Sequence, residues 1–151
     1  MTDEPSSITI RAAREPDAPS VSDLLRQLGY PASVEQTADR LRRLCSSAAV
    51  NDAILVACAN DEPVAWIQVS VVDSLESGPF AEIRGLVVGE LHRGARIGEA
   101  LVRAAAAWAR DRGQTRLRVR SNVIRERAHR FYLRLGYQRA KTQAVFVREL
   151  T

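Results

Sequence analysis

The sequence predicts a single α/β domain with about seven short strands and about four helices in the order βααβββαβαββ. Three observations carry that expectation. The chain has 151 residues, enough for one hydrophobic core and too few for two. Its apolar residues recur with a period of two in some segments and near 3.6 in others. Residues 81–98, A-E-I-R-G-L-V-V-G-E-L-H-R-G-A-R-I-G, read as a strand, a glycine-bearing loop and the start of an alanine-rich helix. At such a junction several backbone N–H groups aim at one spot, and the helix dipole adds about half a positive charge. That is an anion site, most naturally for a phosphate or pyrophosphate.

The elements follow in order. Residues 1–7 precede the first strand and read as disordered or extended. Ile8–Ala13 alternates as a strand. Asp17–Leu28 is a helix with Val21, Leu24, Leu25 and Leu28 on one stripe and Gly29 as its stop. Ser33 is placed to cap a second helix, Val34–Leu44, with Val34, Ala38, Leu41 and Leu44 inward. Ala53–Ala59 and Val64–Val72 are strands joined by an Asn60–Pro63 hairpin turn. A polar loop, Ser74–Pro79, leads to the strand Ala81–Val88. Ile97–Arg112 is the alanine-rich helix, stopped by Gly113, and Arg116–Val119 a strand. Arg125–Leu135 is a helix with Ile124, Ala128, Phe131 and Leu135 along one face, stopped by Gly136. Tyr137–Arg139 and Ala144–Arg148 are expected to close the sheet as short strands. No internal repeat or linker divides the chain.

Composition narrows the function. A hydrophobic fraction of 46% and a charged fraction of 26% are those of a soluble globular protein. No run of 18 apolar residues is present, and the N-terminus lacks the apolar stretch of a signal peptide. Cys45 and Cys58 are therefore expected to be free, buried thiols in a reducing cytoplasm. The formal charge of +4 hides a division: residues 1–81 carry a net −6 and residues 82–151 a net +10. A basic half calls for an anionic partner, and an acidic half favours a cationic one. His92 and His129 have no ligand spacing with other metal-binding residues, so no metal site is expected. The arginines of 116–120 and 125–127 come without the aromatic interleaving of nucleic-acid binders.

Three segments together carry a family resemblance. Arg93-Gly94-Ala95-Arg96-Ile97-Gly98 follows the pattern Q/R-x-x-G-x-G/A. Glu82-Ile83-Arg84-Gly85-Leu86-Val87-Val88 follows E-I-x-x-L-x-V, and Ala128 to Tyr137 follows A-x-x-F-Y-x-x-x-G-F/Y. In this order and spacing they resemble the GCN5-related N-acetyltransferase (GNAT) superfamily, across essentially the whole chain. The resemblance implies a mixed, mostly antiparallel sheet that splays open to hold acetyl-coenzyme A. It also implies transfer of the acetyl group to an amine, and often a homodimer. The loop Arg93, Gly94, Ala95, Arg96, Ile97, Gly98, with Glu99 just beyond, would hold the pyrophosphate. The strand Leu86, Val87, Val88 would pair its backbone with the pantetheine amides, as an added strand pairs with a sheet edge.

Two positions depart from the family pattern. Arg96 stands where the family has its first loop glycine, and is a second charge for the phosphate. Arg125 stands where the family often has an asparagine, and Asn122 is placed to take over that polar cofactor contact. By the same resemblance Tyr132 would supply a proton to the departing thiolate. Glu82, within F-A-E-I as in the histone-acetyltransferase branch, would accept the proton of the amine, or else pair with a basic neighbour such as Arg84 or Arg118. A base on the later strand is closed off, because Arg118 occupies that place. The expected acceptor is a small cationic amine. A protein N-terminus or lysine is the alternative acceptor, and an acyl-coenzyme A sensor without turnover the alternative function.

Overall fold

The computed structural model describes residues 7–46, 48–121 and 124–151. Its backbone divides into two compact units, residues 1–120 and 121–151. The first unit is built on a five-stranded sheet in the order β1-β2-β3-β4-β5. Strands β1 (Ile8–Ala12), β2 (Asp52–Ala59), β3 (Glu62–Val72) and β4 (Phe80–Val88) are antiparallel neighbours. Strand β5 (Leu117–Val119) runs parallel to β4. The β2–β3 hairpin turns on Asn60 and Asp61, both at positive φ (51° and 64°), the backbone that matches a tight hairpin to strand twist.

Helices α1 (Ala18–Leu28) and α2 (Val34–Leu44) follow β1. Gly29 ends α1 in the left-handed conformation (φ 98°). Ser33 caps α2: its hydroxyl accepts from the Gln36 N–H at 3.0 Å, and the Gln36 side chain accepts from the Ser33 N–H at 3.0 Å. Val21 and Leu24 of α1 and Leu41 of α2 are buried with Ile54, Val56, Cys58, Trp66 and Val87 in one cluster. Val34, expected inward, is exposed, and Thr37 is buried instead. The Thr37 hydroxyl is satisfied within the helix, donating to the Ser33 carbonyl at 2.8 Å, so its burial leaves no polar group unpaired. Cys58 is buried as expected, whereas Cys45, just past α2, is exposed.

Along β3, Ala65, Ile67 and Val69 alternate with Trp66 and are fully buried. Helix α3 (Ile97–Asp111) packs against β3, β4 and β2 and buries Leu101, Val102, Ala105 and Ala109. Trp108 is half-buried, with the Arg112 guanidinium 4.0 Å over its ring.

The second unit holds helix α4 (Glu126–Arg134) and the chain after it. Tyr132 makes edge contacts with Phe131 and Tyr137, ring centroids 5.0 and 5.8 Å apart. The strands expected at Tyr137–Arg139 and Ala144–Arg148 do not form, so among the described residues the sheet has five strands rather than seven. Val145, Phe146 and Val147 are exposed. Alternation records which residues share a face. It supplies no partner strand, and a strand without one loses its ladder of hydrogen bonds.

Candidate active site

The parallel ladder between β4 and β5 is short. It pairs Ala81 with Leu117, Glu82 with Arg118 and Ile83 with Val119. Strand β4 continues to Val88, so from Arg84 onward its edge on that side has no neighbouring strand among the described residues. Just there β4 also carries a bulge. Gln68 of β3 faces Gly85 and Val69 faces Ile83, leaving Arg84 unopposed. The β4–β5 pairing stops at this point, a fork in the sense that β4 runs on alone, and Leu86, Val87 and Val88 lie on that limb. Gly85 is required by packing: an added Cβ would meet the Trp66 ring at 2.8 Å.

The chain leaves β4 through a short 3-10 turn, Glu90–His92, that the sequence reading missed, and enters the loop before α3. Gly94 sits at φ 86° and Arg96 at φ 59°. The left-handed conformation at Arg96 is what a family glycine supplies without strain, so this position keeps the backbone of the motif with a different side chain. Arg96 is the N-cap of α3 and no side chain caps the helix. The first-turn N–H groups of Ile97, Gly98 and Glu99 have no carbonyl inside the helix to bond, and they point where the dipole favours an anion. Arg93 and Ala95 flank them on an exposed loop. Glu99 pairs with Arg103 at 2.8 Å.

Glu82 is 3% exposed and is the hub of an ion-pair cluster at the fork. One carboxylate oxygen accepts from Arg118 Nη2 at 3.1 Å, with Arg84 Nη1 at 3.6 Å; the other meets Arg120 Nε at 3.1 Å. Arg118 also stacks over Phe80 at 4.3 Å. Of the two roles open to Glu82 in the sequence, pairing with Arg84 and Arg118 is present, and Arg120 is a third partner that sequence spacing did not reveal. Next along the same cross-strand row, the Ser70 hydroxyl donates to Asp52 at 2.5 Å.

In the second unit Tyr132 is half-buried, and burial, reinforced by Tyr137, pushes its phenol up to about 12. It holds its proton throughout the physiological range. Arg125 is the N-cap residue of α4. Asn122 lies outside the described residues.

The comparisons with known proteins agree on a family. The acetyltransferase (GNAT) family profile matches residues 19–137. An aminoglycoside N(6')-acetyltransferase type 1 of Stenotrophomonas maltophilia is 30% identical over 146 residues, 93% of each chain. The aminoglycoside antibiotic 6'-N-acetyltransferase of Acinetobacter baumannii superposes with a TM-score of 0.79 at 19% identity, over 96% of this chain and all of that one. An aminoglycoside N-acetyltransferase solved in complex with CoA superposes with a TM-score of 0.83 at 16% identity, over 99% of both chains.

Proposed function

This chain belongs to the acetyltransferase (GNAT) family, and we propose that it acetylates a primary amine of a small cationic acceptor. As a member of that family it is an acetyl-CoA-dependent N-acetyltransferase. The observation that carries the reading is the pairing of an open β4 edge with an uncapped α3 N-terminus. Backbone amides on Leu86, Val87 and Val88 suit the amide-bearing pantetheine arm. Loop 93–98, with Glu99 behind it, suits the pyrophosphate, and Arg93 and Arg96 add charge. Arg125, and Asn122 before it, are assigned a polar contact to the cosubstrate.

The reaction is direct transfer. The amine nitrogen attacks the thioester carbonyl carbon, the new C–N bond forms and the C–S bond breaks. An alkylammonium has a pKa of about 10.4, so the amine must first lose a proton, which passes to water. Tyr132 donates its hydroxyl proton to the departing sulfur; the nitrogen gives up its second proton to solvent as the amide forms, and Tyr132 regains one from solvent. Two findings support a cationic acceptor: the net −6 of residues 1–81, and the aminoglycoside relatives, whose names specify amine-bearing acceptors. We place the enzyme in the cytoplasm, as a homodimer. Among the described residues no helix is long and apolar enough to cross a membrane.

The test is thiol release from acetyl-CoA with three acceptor classes: aminoglycosides, lysine-bearing peptides, and peptides with a free N-terminus. Turnover with the aminoglycosides at least tenfold above the peptides supports the proposal. Preference for either peptide class overturns it.

A further inference from the structure

The β4–β5 fork closes on three register pairs and then opens. At the middle pair of the three sits one buried carboxylate with three guanidiniums around it. Glu82 is 3% exposed, while Arg118, Arg84 and Arg120 are 31%, 49% and 63% exposed. Two of the three arginines come from the β5 side of the fork and one from β4. Arg118 is fixed from two directions, by the carboxylate and by the Phe80 ring. Both Glu82 oxygens are engaged by donors. A carboxylate arranged this way ties the two strands together within their short backbone ladder and, through Arg120, one residue past its end.

We propose that Glu82 is a positioning residue: its carboxylate pins Arg118 and Arg120 to β4 and so sets the opening of the fork along which the cosubstrate binds. This rests on the acetyltransferase reading, since the fork matters only if the open edge of β4 holds acetyl-CoA. The proposal separates two properties that a base would not link. A pin affects how well the edge is presented, and so the affinity for CoA. A base affects the pH dependence of turnover and leaves CoA affinity alone.

The experiment measures CoA binding by calorimetry and turnover from pH 6.5 to 10 for wild type, Glu82→Gln and Arg120→Gln. Glu82→Gln is expected to weaken CoA by roughly tenfold, the size of a lost charge-assisted contact. Its turnover profile should run parallel to that of wild type. Arg120→Gln removes an exposed partner and leaves the buried carboxylate with Arg118 and Arg84, so it tests the pin even where Glu82→Gln does not fold. It is expected to weaken CoA severalfold, again with an unshifted profile. In the double variant the two losses should not add, because both break one cluster. Wild-type CoA affinity in the variants, with turnover that falls at neutral pH and recovers towards pH 10, would overturn the proposal and make Glu82 the base. Wild-type protein that binds CoA but acetylates no aminoglycoside rejects the acceptor class instead, and leaves the binding comparison to decide the pin.

Discussion

Tyr132 shows how one hydroxyl separates packing from chemistry. Its ring sits between Phe131 and Tyr137, and burial pushes the phenol up to about 12. Tyr132→Phe keeps the ring and its contacts and removes only the proton. Turnover should fall by roughly 10²-fold or more, with CoA affinity unchanged by calorimetry. A phenol at about 12 stays protonated far above neutrality, so wild-type turnover should show no loss from its ionisation below about pH 10. Full turnover in the variant would mean that the thiolate takes its proton from water. Arg96 poses the opposite case, a side chain held against backbone preference. Its φ of 59° costs about 1–2 kcal/mol that glycine would not incur. Arg96→Gly should therefore raise stability by about 1 kcal/mol in denaturant titration while lowering CoA affinity and its salt dependence. A gain in stability without loss of affinity would remove Arg96 from the phosphate site. The sequence placed Tyr132 and Arg96 through local patterns. Of the partners of Glu82, Arg84 and Arg118 were named from the sequence, whereas Arg120 was not, because spacing does not say which side chain beyond a short strand will reach back to it.

At the scale of elements, the helices and hairpins were readable because their signals are local. Gly29 ends α1, Ser33 caps α2 and Asn60–Asp61 turns the hairpin. What was not readable is packing between elements. Gly85 is an example: in sequence it is one small residue in a strand, and in the fold it admits the Trp66 ring, with no space for a Cβ. Gly85→Ala should cost about 1–3 kcal/mol by overpacking, read as a lower denaturation midpoint. Trp66→Phe in the same background should recover part of that loss, which a general dislike of alanine in the strand would not allow. The start of α1 depends on a pairing between residues six apart. Arg11 of β1 donates two hydrogen bonds of 2.8 Å to Asp17, and that contact holds the Asp17 carboxyl below its ordinary range. With the folded pKa lowered, the stabilisation is present above the unfolded value of about 3.9 and is lost as pH falls through the folded value. Wild-type stability should therefore drop below about pH 4. Asp17→Asn should be less stable at pH 7, by about 3 kcal/mol, and its midpoint should vary less with pH in the acid range.

At the scale of the whole molecule, the open question is what covers the C-terminal segment. Ala144-Val145-Phe146-Val147 has the composition of a strand, yet Val145, Phe146 and Val147 are 78%, 93% and 82% exposed, and Leu150 is 91% exposed. Apolar side chains in a row, with unpaired backbone beside them, invite another strand. The same segment of a second copy meets that need with the least new information. Antiparallel pairing across a two-fold axis places residue i of one copy opposite residue j of the other and j opposite i, and one apolar surface then covers the other. A charge placed in that row must be buried twice in the dimer and not at all in the monomer. Phe146→Asp should therefore shift light-scattering mass at micromolar concentration from twice 16.7 kDa to the monomer value. The far-UV spectrum should keep the helices and sheet of residues 8–119. A wild-type mass of one chain would reject the dimer outright. A dimer that survives Phe146→Asp would move its interface to another surface.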